Sequence, residues 1–126
     1  MVEAPKKREK TVNLRAKLDR IQEYWKPKIV AELNDSYVKL VKLKGEFVWH
    51  HHDREDELFQ VLKGRLRIDL RAGSLDLREG ELAVIPKGVE HRPVADEEVH
   101  VLLLEPKTTV NTGNAKGDRT VEPEWI

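Results

Sequence analysis

Three histidines stand together at residues 50–52, and the residues around them have the types and spacing of a metal site. His50 and His52 are two residues apart, so on a β-strand their side chains would point to the same face. Glu57 follows after a short charged segment and opens an apolar run, 58–62, typical of a neighbouring strand. Two neutral imidazoles and one carboxylate suit a divalent transition metal.

A fourth histidine lies at the end of a segment with a different pattern. Residues 80–91 predict a strand, a turn at Pro86–Gly88 and the start of another strand, so His91 could supply a third imidazole. By themselves, the three adjacent histidines are equally compatible with an exposed loop, because the charged run 53–56 follows them. The position of His91 after Pro86-x-Gly88 makes a metal site the favoured interpretation.

Both stretches resemble the two sequence motifs of the cupin superfamily. The first motif is read here as Gly45, four residues, His50-x-His52, four residues, Glu57, six residues and Gly64. The second is read as Gly80, five residues, Pro86-x-Gly88, two residues, His91, three residues and Ala95. The gap before His50 is one residue shorter than usual, and Ala95 replaces an asparagine that is not a ligand in the family. The resemblance spans residues 29–105.

The resemblance implies an all-β fold, the double-stranded β-helix or jelly-roll barrel of cupins. It also implies that one divalent transition metal (iron, manganese, nickel, cobalt, copper or zinc) is bound by His50, His52, Glu57 and His91. Such a ligand set leaves one or two coordination positions open, as a catalytic site requires. A slip of one residue would offer His51 and Asp53 instead, but it loses the His-x-His pair, so we prefer His50 and His52.

Strand alternation predicts which side chains share a pocket with these ligands. Glu46 and Val48 would face the same way as His50, and the other expected lining residues are Phe59, Val61, Ala83 and Pro93. This lining is small, mostly apolar and without an obvious Arg/Lys cluster for a phosphate, although Lys39 or Arg67 could point inward if the strand register permits. We therefore expect a small, partly apolar or aromatic substrate, with Glu57 and Glu46 as candidate catalytic carboxylates.

The resemblance favours an enzyme that acts on a small organic molecule, with a dioxygenase-like oxidation as the first hypothesis. A sugar or sugar-phosphate isomerase-like activity is the second, in which Glu46 or a water would move a proton beside a polarised carbonyl. A non-enzymatic, metal-dependent module that binds a small molecule is the third. The sequence contains no nucleophile elbow or phosphate-binding glycine loop that would indicate a different chemistry.

The elements that must position these residues fall into three segments. Residues 1–28 form a basic N-terminal segment with a short helix, residues 29–105 form the barrel, and residues 106–126 form a tail that packs on the barrel or extends from it. Nine or ten short strands with turns every six to twelve residues are predicted within the barrel segment, which is typical of an all-β sandwich or barrel. They include a ligand-bearing strand at residues 46–52 and two separate strands at residues 91–95 and 99–104.

The N-terminal segment divides into two predicted parts. Residues 1–10 are polar and basic and are predicted to be disordered. A helix is predicted from near Asn13 to Pro27, because apolar residues recur at helical spacing at Leu14, Leu18 and Ile21, with Tyr24 or Trp25 continuing the stripe. This helix would plug one end of the barrel or cover a second subunit.

Composition limits the remaining function classes. The formal net charge is zero although 37% of the residues are charged, which argues against a dedicated nucleic-acid surface. No apolar run approaches the length of a membrane span, and no secretory signal is recognisable at the N-terminus. The absence of cysteine fits a cytoplasmic protein. A homodimer is expected, formed through the helix and outward apolar residues such as Trp49.

Overall fold

The computed structural model describes residues 11–126, so the predicted disorder at 1–10 lies outside the described residues. The predicted all-β fold is confirmed. The described elements, in chain order, are α1 (Leu14–Leu18), β1 (Lys28–Leu33), β2 (Ser36–Glu46), β3 (Glu57–Lys63), β4 (Leu66–Leu70), β5 (Gly73–Leu77), β6 (Leu82–Ile85), β7 (His91–Pro106) and β8 (Glu124–Trp125).

Strand β7 organises the sheet, since it pairs antiparallel with three other strands. One edge of β7 pairs with β4 over its first part and with β3 over its second part, and the other edge pairs with β2 along most of its length. The strand order in the sheet is β5-β4-β7-β2-β1-β8, and β6 pairs with β3 beside this path. Strand β7 therefore joins the strands β3 to β6 on one edge to the strands β2, β1 and β8 on the other.

Alternating apolar residues of these strands fill the core. The largest cluster of buried residues contains Val41 and Leu43 of β2, Phe59 and Val61 of β3, and their neighbours Leu66, Ile68, Leu77, Ile85, Ala95, Val99, Val101 and Leu103. Each fully buried Val, Leu or Phe side chain contributes about 1.5–3 kcal/mol. These β-branched and aliphatic side chains are closely packed, so the core is a rigid support for the side chains at the ends of its strands.

The helix is shorter than the sequence pattern predicted, so the expectation that it reaches Pro27 is wrong. Asn13 caps its start by accepting a hydrogen bond from the Ala16 N–H, and the helix ends at Leu18. The next turn is tightened, because the Ile21 N–H bonds to the Leu18 carbonyl three residues back. Leu18 and Ile21 are still buried, so the apolar stripe indicated burial correctly although the helix does not continue.

Two strand predictions also need correction. Residues 91–95 and 99–104 were predicted as separate strands, but they belong to the single strand β7. Residues 46–52 were predicted as one ligand-bearing strand, whereas β2 ends at Glu46 and residues 47–49 are irregular. His50 then makes one isolated antiparallel bridge with His91. The strand alternation assumed for residues 46–50 is therefore interrupted.

The tail returns to the barrel and pairs with it. Residues 107–123 contain turns but no long strand, and β8 pairs in parallel with the start of β1. The Ile126 N–H bonds to the Ile29 carbonyl, and the Lys17 ammonium bonds to the Ile126 carbonyl. These bonds hold the described C-terminal residues against the barrel.

Candidate metal centre

Four buried side chains from three parts of the chain converge at one end of the core. His50, His52, Glu57 and His91 each offer one ligand atom, and these atoms lie within 4.8 Å of one another. Glu57 and His91 are the first residues of β3 and β7, and the backbones of His50 and His91 exchange two hydrogen bonds, of 3.1 and 2.9 Å. The structure thus brings together all four residues that the motif spacing indicated.

Backbone carbonyls determine which ring nitrogen faces the cluster. His50 Nδ1 lies 2.8 Å from the Val48 carbonyl oxygen, and His91 Nδ1 lies 2.9 Å from the Val89 carbonyl oxygen. A carbonyl oxygen only accepts, so each Nδ1 must carry the proton and donate it. In the neutral ring the opposite nitrogen, Nε2, then has a free lone pair, which is the form that binds a metal ion.

The chemistry of this donor set fits a divalent cation. His52 Nε2 is buried and forms no hydrogen bond, although it lies 3.4 Å from Glu57 Oε1. His91 Nε2 lies 3.3 Å from the same carboxylate oxygen. A buried polar atom without a partner costs about 1–3 kcal/mol. A cation among these atoms would be bound by His52 Nε2 and by the Glu57 carboxylate together.

Burial also sets the charge state of the cluster. Burial, and next the charge of His91, lower the pKa of His50 to about 4, so this imidazole is neutral near pH 7. Burial raises the pKa of Glu57, but contacts with Glu105, His52 and His91 outweigh it and hold the pKa well below its usual range. The cluster therefore presents a neutral imidazole at His50 and an ionised carboxylate at Glu57, as metal ligation needs.

Two further charged residues lie behind Glu57, and the sequence interpretation missed their role. Lys39 Nζ donates to Glu105 Oε1 at 2.8 Å, and the two side chains are 2% and 1% exposed. Glu105 is the cross-strand neighbour of Glu57, because Leu58 lies opposite Leu104. Burial, and next the charge of Glu57, raise the pKa of Glu105 well above its usual range, so Glu105 carries the proton that the two carboxyl groups share. A signal was present in the sequence, because Glu105 continues the alternation of Val101 and Leu103 and a charged residue at a buried position of a strand needs a partner.

A small cavity of about 40 Å³ opens beside the cluster. It is lined by two of the four candidate ligands, by Glu105, and by mostly apolar residues: Trp25, Pro27, Val41, Leu43, Phe47, His50, Glu57, Phe59, Pro93, Leu103, Glu105 and Asn111. Such a volume holds a few water molecules. Among the lining residues, Trp25 and Phe47 stack with ring centroids 4.8 Å apart.

Only part of the predicted pocket lines this cavity. Phe59 and Pro93 do so, as alternation indicated. Val61 instead lies in the middle of the apolar core, and Ala83 packs against the same core, because both are further along their strands from the ligand end. Val48 lies in the irregular stretch 47–49 and contributes its carbonyl to His50.

Glu46, the second candidate catalytic carboxylate, lies at the surface. Its side chain is 59% exposed and forms an ion pair of 3.3 Å with Arg92. Because the chain leaves the strand after Glu46, the alternation that related Glu46 to His50 does not hold. The alternative ligands of the slipped register are also elsewhere, since His51 Nε2 pairs with Asp53 Oδ1 at 2.9 Å and the Asp53 side chain is 78% exposed.

The C-terminal tail packs directly on the ligand segment. His51 exchanges hydrogen bonds with Asn114: the Asn114 N–H bonds to the His51 carbonyl at 3.1 Å, and the His51 N–H bonds to Asn114 Oδ1 at 2.8 Å. Gly113 is so close that an added Cβ would lie 2.1 Å from the His51 carbonyl oxygen. Asn111 also lines the cavity. The tail therefore forms one wall of the site.

Comparisons with known proteins agree with this geometry. A family model described as a cupin domain matches residues 38–105. The uncharacterized protein YdbB of Bacillus subtilis (strain 168) is 39% identical over 84 residues, which cover 66% of this chain and 74% of the relative. A crystal structure of a cupin-2 domain containing protein from Shewanella frigidimarina NCIMB 400 is similar at 46% identity and a TM-score of 0.74, covering 75% of this chain and 93% of that one. Protein NMB1881 from Neisseria meningitidis is similar at 38% identity and a TM-score of 0.70, covering 77% and 99%.

Proposed function

Because this chain belongs to the cupin family, we propose that it is an enzyme that acts on a small organic molecule at a divalent transition-metal centre. The proposed ligands are His50, His52, Glu57 and His91. A metal ion bound by these four residues would supply open coordination positions for the molecule that reacts. The reaction class that we favour is a dioxygenase-like oxidation.

One observation carries the proposal: the inward, proton-free nitrogens and the buried carboxylate lie at the end of a mainly apolar cavity. The barrel holds these side chains before any ligand arrives, so little ordering is needed on binding. The lining residues Phe47, Phe59 and Pro93 give one side of the cluster an apolar surface. Such a surface favours a small, partly apolar or aromatic molecule over a strongly hydrated one.

An isomerase-like activity on a sugar or sugar phosphate is the second candidate. The cavity gives it less support, because no lysine or arginine is among its lining residues in the described part of the chain. Lys39 is buried nearby, but its ammonium group is engaged by Glu105. A binding module without catalysis is the third candidate and would use the same metal site.

The proposal also covers the location, the oligomeric state and the binding partner of the protein. We propose a cytoplasmic homodimer whose partner is a small molecule rather than a nucleic acid. In the described residues, no helix has the length and apolar character needed to cross a bilayer.

The metal centre is tested by the double substitution His50→Ala and His91→Ala. Purified without added metal, the wild-type protein should contain about one divalent metal ion per chain by elemental analysis, and the variant should contain none, because two of the four ligands are lost. His100→Ala is the matched control, since His100 Nε2 pairs with Glu98 at 2.7 Å, away from the cluster. Full metal occupancy in the double variant would contradict the proposed ligand set.

The reaction class is tested by oxygen consumption. Protein loaded with ferrous iron should consume oxygen when small phenols such as catechol are added, and the double variant should not. Binding of the phenol without oxygen consumption would favour the binding module. Interconversion of glucose 6-phosphate and fructose 6-phosphate without oxygen consumption would favour the isomerase.

A further inference from the structure

We propose that Glu105, held by Lys39, is a positioning residue that fixes the carboxylate of Glu57 toward the imidazoles; this inference rests on the proposed metal centre. Lys39 Nζ donates to Glu105 Oε1 at 2.8 Å. Leu58 of β3 lies opposite Leu104 of β7, so Glu57 and Glu105 are cross-strand neighbours, and both buried side chains line the same cavity. Two buried carboxyl groups in contact share one proton, so the protonated Glu105 donates a hydrogen bond to the ionised Glu57. Glu57 Oε1 is then the oxygen that lies 3.4 Å from His52 Nε2 and 3.3 Å from His91 Nε2. The contacts form one chain from Lys39 to the cluster.

The backbone makes the first two members of this chain rigid. Lys39 lies in β2 and Glu105 in β7, and the register pairs Lys39 with Leu103 and Tyr37 with Glu105. The two residues are therefore diagonal neighbours on the same face of the longest strand pair in the sheet. Their side chains are 2% and 1% exposed, so packing leaves them little freedom to move.

Glu57 needs such support more than the histidines do. It is the first residue of β3 and follows an irregular segment, whereas the rings of His50 and His91 are each held by a carbonyl hydrogen bond. The 40 Å³ cavity is lined by both Glu57 and Glu105. A carboxylate without the Glu105 contact would have room to turn into this cavity and away from His52.

The small contribution of the buried Lys39–Glu105 contact to stability also argues that the contact has a role in the metal site. A buried ion pair stabilises a fold little, and apolar residues of similar volume often replace it at no loss of stability. Removing only Glu105 leaves the buried Lys39 ammonium without an acceptor, and an unpaired buried charge costs about 3–5 kcal/mol. A test must therefore replace Lys39 and Glu105 together.

The test compares two variants. Lys39→Met with Glu105→Leu removes the whole pair and keeps the core apolar, and circular dichroism checks that the variant folds. Glu105→Gln keeps a group that accepts from Lys39 and donates to Glu57. Lys107→Met is the control, because Lys107 pairs with Glu32 at 2.6 Å and these two side chains are partly exposed, outside the buried chain of contacts.

The first measurement is cobalt binding, followed by visible absorption. We expect the double variant to bind Co²⁺ about 10–100-fold more weakly than wild type, as is typical when the partner of a metal ligand is lost. Glu105→Gln and Lys107→Met should bind close to wild type. An unchanged affinity in the double variant, or an equal loss in Glu105→Gln, would overturn the positioning role. Loss of all stoichiometric binding would make Glu105 a ligand instead and would also overturn it.

The second measurement needs no metal. Imidazole ¹H–¹⁵N spectra of the metal-free protein should show shifted Nε2 signals of His52 and His91 in the double variant, because Glu57 Oε1 moves away from both. The signals of His51 and His100 should stay unchanged. Failure of wild type to bind Co²⁺ would contradict the proposed function alone, while unshifted His52 and His91 signals would overturn the positioning role alone.

Discussion

At the scale of single residues, the site depends on the protonation of its rings as much as on their positions. The carbonyls of Val48 and Val89 hold the protons of His50 and His91 on the outer nitrogens. These carbonyls belong to residues two positions before each histidine, so the local backbone alone selects the tautomer. A ring held in this way is ready to bind a metal ion without first losing a proton at neutral pH.

Gly113 is a residue at which a single methyl group should disturb the site. Its φ is +52°, and an added Cβ would lie 2.1 Å from the His51 carbonyl oxygen, which is backbone and cannot move aside cheaply. We expect Gly113→Ala to lower the free energy of unfolding by about 1–3 kcal/mol. Chemical denaturation monitored by tryptophan fluorescence measures this change in the free energy of unfolding.

Gly117 provides the matched control in the same tail. An added Cβ there meets no atom within 4 Å, so Gly117→Ala should change the free energy of unfolding by less than about 0.5 kcal/mol or raise it slightly. Equal effects at the two glycines would contradict the close packing of Gly113 on the ligand segment.

The sequence could predict the four candidate ligands but not the contact between Glu105 and Glu57. The spacing of His50, His52, Glu57 and His91 is local within two motifs, so it could be read without a structure. The contact between Glu105 and Glu57 joins residues 48 positions apart, and it depends on the register between β7 and its neighbours. Spacing alone carries no information on such a register.

At the scale of elements, the point at which β2 ends determines that His50 and His52 face the interior of the barrel. The strand stops at Glu46, the chain crosses to the barrel interior through residues 47–49, and His50 bridges to His91. Phe47 is buried in this crossing and stacks on Trp25. Continuous strand alternation would put Glu46 and Val48 in the pocket. Because the strand stops, Phe47 and Trp25 line the cavity instead.

The pairing of β4 with β7 should contribute a pH-dependent part of the stability. Asp69 of β4 lies opposite Arg92 of β7, and hydrogen bonds from Arg67 and Arg92 lower its pKa below the ordinary value of 3.8. The stabilisation is thus present above the ordinary pKa and is lost as the pH falls through the lowered one. We expect Asp69→Asn to cost about 1 kcal/mol at neutral pH, since the pair is partly solvated.

Denaturation curves at several pH values test this prediction. The difference between wild type and Asp69→Asn should shrink as the pH falls below the ordinary pKa of 3.8 and through the lowered pKa, because wild-type Asp69 becomes neutral there. Asp118→Asn, at an exposed position in the tail, is the control and should show no such trend. A difference that does not depend on pH would contradict the charge-based explanation.

At the scale of the whole molecule, the outer face of the sheet is covered unevenly. Leu18 and Ile21 cover the β2 side, where they pack with Val30 and Leu40. The β6 side has no such cover from the described residues, and Leu82 and Val84 are 56% and 50% exposed. Val84 lies opposite Leu58, which in turn lies opposite Leu104, so an apolar row continues across three strands. We expect the proposed homodimer to form through this row rather than through Trp49, because the Trp49 ring is covered by Arg71 at 3.9 Å.

The dimer is tested by placing charges on this row. We expect the wild-type protein to elute as a dimer at micromolar concentration in size-exclusion chromatography with light scattering. Leu82→Glu with Val84→Glu should convert it to a folded monomer, since buried, unpaired carboxylates would oppose association. Leu33→Glu is the matched control: Leu33 is also 56% exposed, but it lies at the end of β1, so the dimer should persist. A monomeric wild-type protein, or a double variant that remains dimeric, would contradict this interface.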